Sequence, residues 1–240
     1  MTRKALITGG SGGIGQAIAR RLAADGIHVW VHHHSNPQAA GAIVETIQGQ
    51  GGTATALGFD VSDWAATRAS LEGLLEAEGA MDIVVHNAGI TDDAAFPGME
   101  YSQWQKVIDT SLNGFFHVTR PLLMPMIRQR WGRIVSIASI AALHGNRGQA
   151  NYAAAKAGVI GASRSLAREV ASRGICVNVV APGFVDTGMI ADIPAETIKA
   201  LVPMQRSGRA DEIAAVVAFL CSDDTAYMTG EVLNVSGGII

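Results

Sequence analysis

Two cysteines, 16% charged residues and a formal net charge of -3 leave this 240-residue chain short of several resources, and each shortage excludes something. Cys176 and Cys221 lie in apolar contexts and match no metal or redox spacing, so they read as buried thiols in a reducing compartment. The small negative charge gives no general attraction to phosphate backbones or anionic lipid, so neither nucleic acid nor membrane is an expected partner. No apolar run approaches a membrane span. Near the start, Ala5-Leu6-Ile7 is followed at once by Thr8 and a cluster of glycines, too short for a secretory leader, and a cytoplasmic location is expected. No Pro- or Ser-rich linker, charge block or internal repeat divides the chain, so residues 1–240 are expected to form one domain.

Apolar residues (48%) and glycine (28 residues) are plentiful, as buried strands and helices joined by tight turns require. Short apolar runs at Lys4 to Thr8, Val29 to His32, Thr53 to Gly58, Asp82 to His86, Arg133 to Ser136, Cys176 to Ala181 and Glu231 to Val235 read as strands. Between them Gly13 to Asp25, Gln38 to Gln50, Asp63 to Glu78, Ser102 to Arg130, Ala150 to Arg173 and Ala210 to Cys221 carry helical patterning. This alternation is that of an α/β protein: a doubly wound Rossmann domain with a seven-stranded parallel sheet flanked by helices. Thr187 to Pro203, weakly periodic and carrying Gly188 and Pro194, reads as a lid over a substrate or as an ordinary surface excursion.

Thr8-Gly9-Gly10-Ser11-Gly12-Gly13-Ile14-Gly15 follows the first strand and opens the first helix, the setting in which a glycine cluster receives a pyrophosphate. Gly10, Gly12 and Gly15 fit the general dinucleotide spacing; Gly9, Gly13 and Gly15 fit a longer variant. Gly9, Ser11, Gly12, Gly13, Ile14 and Gly15 are the expected contacts. At the end of the second strand an NAD enzyme usually places a carboxylate, yet Gly26 through Val44 holds no Asp or Glu and also no Arg or Lys. His32-His33-His34-Ser35-Asn36 offers hydrogen-bond donors there instead, which favours NADP(H) and makes His33, His34, Ser35 and Asn36 nucleotide-facing. Consecutive strand residues point to opposite faces, so the three histidines cannot converge on one metal, and none is expected. Asp60-Val61 is placed to receive the adenine edge, and Asn87-Ala88-Gly89 to carry the chain past the cofactor.

Tyr152 and Lys156 stand one helical turn apart on one face, so the ammonium can sit beside the phenol and favour its ionised form. Ser139 lies upstream. Together with the glycine turn these residues describe a hydride-transfer site.

Several ordered motifs, namely Thr8 to Gly15, Asn87-Ala88-Gly89, Ser139, the Tyr152 to Lys156 pair, Pro182-Gly183 with Thr187, and Thr229-Gly230-Glu231 to Gly237-Gly238, resemble the short-chain dehydrogenases/reductases over essentially the whole chain. Within that family, Gly148 to Gly158 and Ser165 to Ile175 look most like the 3-oxoacyl-carrier-protein reductases. The resemblance implies NADPH-dependent reduction of a 3-oxoacyl thioester by a homotetramer, with Ser139 and Tyr152 on the carbonyl oxygen and Lys156 on the phenol and the nicotinamide ribose. It implies cofactor contacts at Pro182, Gly183, Val185 and Thr187, and docking of an acidic acyl carrier protein at Arg130 and Arg173. An acyl-CoA substrate, as in acetoacetyl-CoA reductase, shares this chemistry, and a nucleotide-binding sensor without turnover is the non-enzyme alternative. The chain departs from the family at Ser111, where a helix normally supplies an Asn for a water chain to the lysine, with Asn113 on the wrong side to replace it. It departs again at His86, where Asn is commoner.

Overall fold

The computed structural model describes residues 2–190 and 193–240. All seven expected strands form, within one residue or so of the anticipated bounds: β1 (Lys4–Ile7), β2 (His28–His33), β3 (Ala54–Gly58), β4 (Ile83–His86), β5 (Gly132–Ile137), β6 (Ile175–Pro182) and β7 (Val232–Val235). They pair in the order β3-β2-β1-β4-β5-β6-β7, every pair parallel. The chain runs outward from β1 to β3 and then returns across β1 to β4. A crevice therefore opens at the carboxyl ends of β1 and β4, where the winding reverses.

Strand residues alternate between two buried layers, because crossover helices cover both faces of a parallel sheet. Ala5, Ile7, Val29, Val31, Ile83 and Val85 pack with α1 (Gly13–Ala24), α2 (Pro37–Gly49) and α9 (Ala210–Cys221). Leu6, Trp30, Val84 and Ile134 face α3 (Trp64–Glu78), α5 (Gly114–Gln129) and α7 (Ala150–Val170). Each fully buried Leu or Ile in these layers contributes about 1.5–3 kcal/mol. Local chemistry sets the helix starts: Asn36 accepts from the Ala39 amide with Pro37 behind it, and Asp63 accepts from the Ala66 amide.

The stretch from Ser102 to Arg130 is not one helix. It divides into α4 (Tyr101–Ile108), a π turn (Asp109–Asn113) and α5. A π turn inserts one extra residue into the helical path, and here Asp109 accepts from the side chains of both Gln105 and Asn113. The apolar periodicity either side of such an insertion reads as continuous, which is why the sequence conceals it. Two short helices also escape periodicity: α6 (Ala141–His144), and α8 (Ala195–Leu201) inside the segment read as a lid or loop. Ala191 and Asp192 of that segment lie outside the described residues. Among the described residues no helix is long and apolar enough to cross a membrane.

Candidate active site and cofactor cleft

The glycine turn links β1 to α1 at the crevice, and its geometry selects between the two spacings. Gly9 and Gly13 have φ of +61° and +50°, which favour glycine, and a Cβ on Gly15 would lie 2.2 Å from the Gly9 carbonyl oxygen. Gly12 has nothing within 4 Å of such an atom. The longer spacing, Gly9, Gly13 and Gly15, is therefore the one the backbone requires.

Asn87 locks the turn to the sheet. Its side-chain amide donates to the carbonyls of Thr8 and Gly9, while the Thr8 hydroxyl accepts from the Asn87 and Ala88 amides. His32, at 1% exposure, completes the support by accepting from the Gly9 amide at Nδ1 and donating to the Phe59 carbonyl from Nε2. Burial holds it neutral, with its pKa pulled down to about 4. Ser11 and Ile14 flank the turn, partly buried. Opposite, the Thr187 methyl would lie 3.4 Å from a Cβ on Gly13, so the loop after β6 closes over the helix start.

At the ends of β2 and β3, the expected nucleotide residues divide. Asn36 is occupied in capping α2. Val61 lies in the core, so a ligand can meet only its backbone. His33, His34, Ser35 and Asp60 remain at the rim. Among the described residues no group of three or more His, Cys, Asp or Glu is arranged to hold a metal.

Beyond the crevice a cavity of about 540 Å³ is lined by Ile14, Asn87, Gly89, Ser139, Tyr152, Lys156, Pro182, Gly183, Val185 and Thr187 from the expected set. Ser139 follows β5, and its hydroxyl accepts from the Ala141 amide to start α6. Tyr152 and Lys156 descend from the first turns of α7, whose start is fixed by fully buried Asn151, which donates to the Asp92 and Gln103 carbonyls. Sequence reasoning missed Asn151 and also Asp93, which lines the cavity and accepts from the Gln149 side chain. Their only signal is polarity beside a motif, which many surface residues share.

Lys156 shares the Tyr152 face and also reaches a backbone carbonyl. Its ammonium lies 5.7 Å from the Tyr152 ring centre and donates to the Ile137 carbonyl at 2.9 Å. Burial pulls its pKa down to about 8. Burial likewise raises the Tyr152 phenol above its ordinary value; the Ser139 side chain works against that rise and the Asp93 charge adds to it. In this state the phenol is held protonated by its surroundings, while the Lys156 ammonium rests on a backbone carbonyl.

A Cβ on Gly89 would fall 2.9 Å from Lys156 Nζ and 3.3 Å from Ser111 Oγ. The absence of that methyl lets both groups share one corner. The π turn turns Ser111 inward, 5% exposed and with no hydrogen-bond partner, whereas Asn113 is tied to Asp109. His86 is buried against Phe115, pairs with the Thr119 hydroxyl, and is held neutral at about 3 by burial and by the Lys156 charge.

Arg130 and Arg173 are brought together but away from the cavity. Arg130 has φ of +56°, donates to the Ser172 carbonyl, and its own carbonyl fills the space beside Gly174. Both arginines precede the amino ends of β5 and β6, while the cavity lies at the carboxyl ends. Strands of this length separate the two by roughly 20 Å.

The family model described as Enoyl-(Acyl carrier protein) reductase matches residues 9–240. The chain belongs to the short-chain dehydrogenase/reductase family. It is 47% identical to the 3-oxoacyl-(acyl-carrier-protein) reductase of Escherichia coli (strain K12) over 238 residues, covering 98% of this chain and 96% of that one. It is 45% identical over 241 residues to the enzyme of the same name from Aggregatibacter actinomycetemcomitans, covering 100% of both chains. The Synechocystis reductase is 43% identical over 237 residues, with 98% and 96% covered. As a family member the chain is an oxidoreductase that uses a nicotinamide cofactor. The site fits one: the cradle at Gly9 and Gly15 admits no side chain, and the cavity continues from it to Tyr152.

Proposed function

We propose that this chain, acting as one domain over residues 1–240, reduces a 3-oxoacyl thioester to the 3-hydroxyacyl thioester with NADPH in acyl-chain biosynthesis, as a cytoplasmic homotetramer. The observation that carries the reading is one cavity shared by Ser139, Tyr152 and Lys156, with an apolar mouth of Phe184, Met189, Ile190, Ile193 and Leu201 that suits an acyl chain. The names of the full-length relatives supply the thioester class. The lack of a carboxylate from Gly26 to Val44 supports NADP(H) over NAD(H).

Bound nicotinamide supplies the hydride that the carbonyl carbon accepts. The chain's own residues manage the oxygen. Tyr152, kept protonated by burial, gives its proton to that oxygen as negative charge develops. The Ser139 hydroxyl donates to the same atom and holds the carbonyl at the phenol. Lys156 uses one donor on Ile137 and has others free for ribose hydroxyls. Its charge stabilises the tyrosinate left after transfer.

The experiment is a steady-state assay following loss of the reduced-nicotinamide absorbance with acetoacetyl-carrier protein, acetoacetyl-CoA and longer homologues. Turnover with carrier-linked substrate and NADPH is expected. Tight NADPH binding without turnover on any 3-oxoacyl thioester overturns the reading. One observation favours a CoA-linked substrate as the second reading: the arginine pair faces away from the cavity of its own protomer. Equal efficiency with CoA and carrier thioesters would select it.

A further inference from the structure

The apolar residues at the mouth of the cavity are not all held with the same firmness. Met189, Ile190, Ile193 and Leu201 belong to the segment after β6 that carries α8, and Met189 and Leu201 are exposed. One further apolar side chain, Ile239, lines the same cavity from another part of the chain, the stretch that follows β7. It is partly buried.

Ile239 reaches the cavity because the backbone hooks back after the strand. Gly237 and Gly238 have φ of +66° and +92°, a left-handed pair that side-chain-bearing residues adopt only with strain. The Asn234 side chain closes the hook by donating to the Ile240 carbonyl. On one side the Gly237 carbonyl accepts from the Met204 amide at 3.1 Å, and a Cβ on Gly237 or Gly238 would lie 2.8 Å from Val202 or 3.2 Å from Pro203, just beyond α8. On the other, the Gly183 amide donates to the Val235 carbonyl, and a Cβ on Gly183 would lie 2.8 Å from the Ser236 backbone. The hook is therefore wedged between the end of β6 and the end of α8, with Ile239 turned to the cavity.

We infer that Ile239 sets the length of the acyl chain that the site accepts. This rests on the thioester reading above. An acyl chain that outgrows its space can displace exposed side chains such as Met189 and Leu201, which have solvent to move into. Ile239 has no such freedom, because shifting it means breaking the Gly237 to Met204 bond and opening the glycine turn. Each acyl methylene that finds room beside it gains roughly fourfold in affinity from burial, and the first that does not must overpack a wall that cannot yield.

The test is kcat/KM of the full chain with NADPH for 3-oxoacyl-carrier-protein substrates of four, eight and twelve carbons. Ile239→Ala should raise the ratio of twelve-carbon to four-carbon efficiency about tenfold, and Ile239→Phe should lower it by about the same factor. Ile239→Val, which removes a single methylene, should move the ratio in the direction of the alanine variant, and it keeps the test decisive if Ile239→Ala does not fold. Opposite shifts with size are the signature, since a residue that only packs the hook against α8 would change all chain lengths alike. A ratio that stays within about twofold of wild type in the smaller and the larger variant, or that moves the same way in both, overturns the role of Ile239 and leaves the thioester reading standing. If the wild-type chain turns over none of the three substrates, the thioester reading fails first and this one with it.

Discussion

At the cavity end of the cleft, function is assigned to side chains that the fold delivers: Ser139 from the end of β5, and Tyr152 and Lys156 from α7. At the glycine-turn end it is assigned to side chains that are missing, so that backbone amides at a helix start face the ligand. The first end depends on what three groups can do to a proton, the second on what one extra carbon would block. Substitutions should therefore fail differently: chemistry lost with binding intact at one end, binding and folding lost together at the other.

The largest effect should come from Tyr152→Phe. Removing the hydroxyl deletes the proton donor while the ring keeps its place, so kcat should fall by about 10²–10⁴-fold or more, with NADPH affinity within about threefold of wild type. Steady-state kinetics beside calorimetric cofactor binding separates the two. A variant that binds NADPH and turns over at wild-type speed would remove the cavity end from the comparison.

Next in size is Gly15→Ala against Gly12→Ala. A Cβ at Gly15 would meet the Gly9 carbonyl at 2.2 Å and the Asn87 amide at 2.6 Å, whereas Gly12 faces open space. Backbone cannot yield as a flexible side chain does, so Gly15→Ala should destabilise by about 2–4 kcal/mol and weaken NADPH binding in parallel. Gly12→Ala should stay within about 0.5 kcal/mol of wild type. Thermal melts with and without NADPH distinguish them, and equal behaviour of the two variants would show that the cradle is not sterically set.

This contrast also explains what could be read from the chain. The seven strands and the alternating helices follow from apolar periodicity, and the Tyr152–Lys156 pair from helical spacing, because both are local. The choice of Gly9, Gly13 and Gly15 is not local: it depends on the Asn87 side chain and the Gly9 carbonyl folding over the turn. The π turn is hidden because the Gly114 amide reaches back five residues to the Asp109 carbonyl without disturbing the apolar pattern on either side. The resting contact of Lys156 is hidden for a related reason. Spacing puts it on the face of Tyr152, but the Ile137 carbonyl, from another element, decides where its ammonium rests.

Acid should expose the histidines buried beneath the two ends. His32 and His86 are buried and neutral, with pKa values near 4 and 3 against an ordinary 6.5. The unfolded chain therefore binds their protons first, and the stability they contribute is complete above about pH 6.5 and lost as pH falls toward 4 and 3. At pH 5 the loss should be roughly 2 kcal/mol for each. Urea denaturation from pH 7.5 to 5 should show this slope, and His86→Asn should remove about half of it. An unchanged slope in that variant would mean that burial at His86 does not suppress its charge.

The smallest effect is expected from the arginine pair, and its interest lies in where it sits. Arg130 and Arg173 are exposed, and neither contributes to the core, so Arg130→Glu and Arg173→Glu should leave stability within about 0.5 kcal/mol. They also lie beyond the amino ends of β5 and β6, so turnover of a small CoA thioester, which needs only the cavity, should be unchanged. If an acidic carrier docks on the pair, reversing both charges should raise KM for the carrier-linked substrate about tenfold at low salt, with kcat held, and the penalty should shrink as salt screens the contact. Because the pair faces away from its own cavity, a docked carrier must serve a cavity on a neighbouring copy. Mixing the double variant with a Tyr152→Phe chain makes that arrangement measurable: carrier-linked activity should recover in the mixed assembly, since one protomer keeps the docking face and the other keeps the phenol. No recovery, with mixed assemblies demonstrably formed, would return docking and chemistry to one and the same protomer.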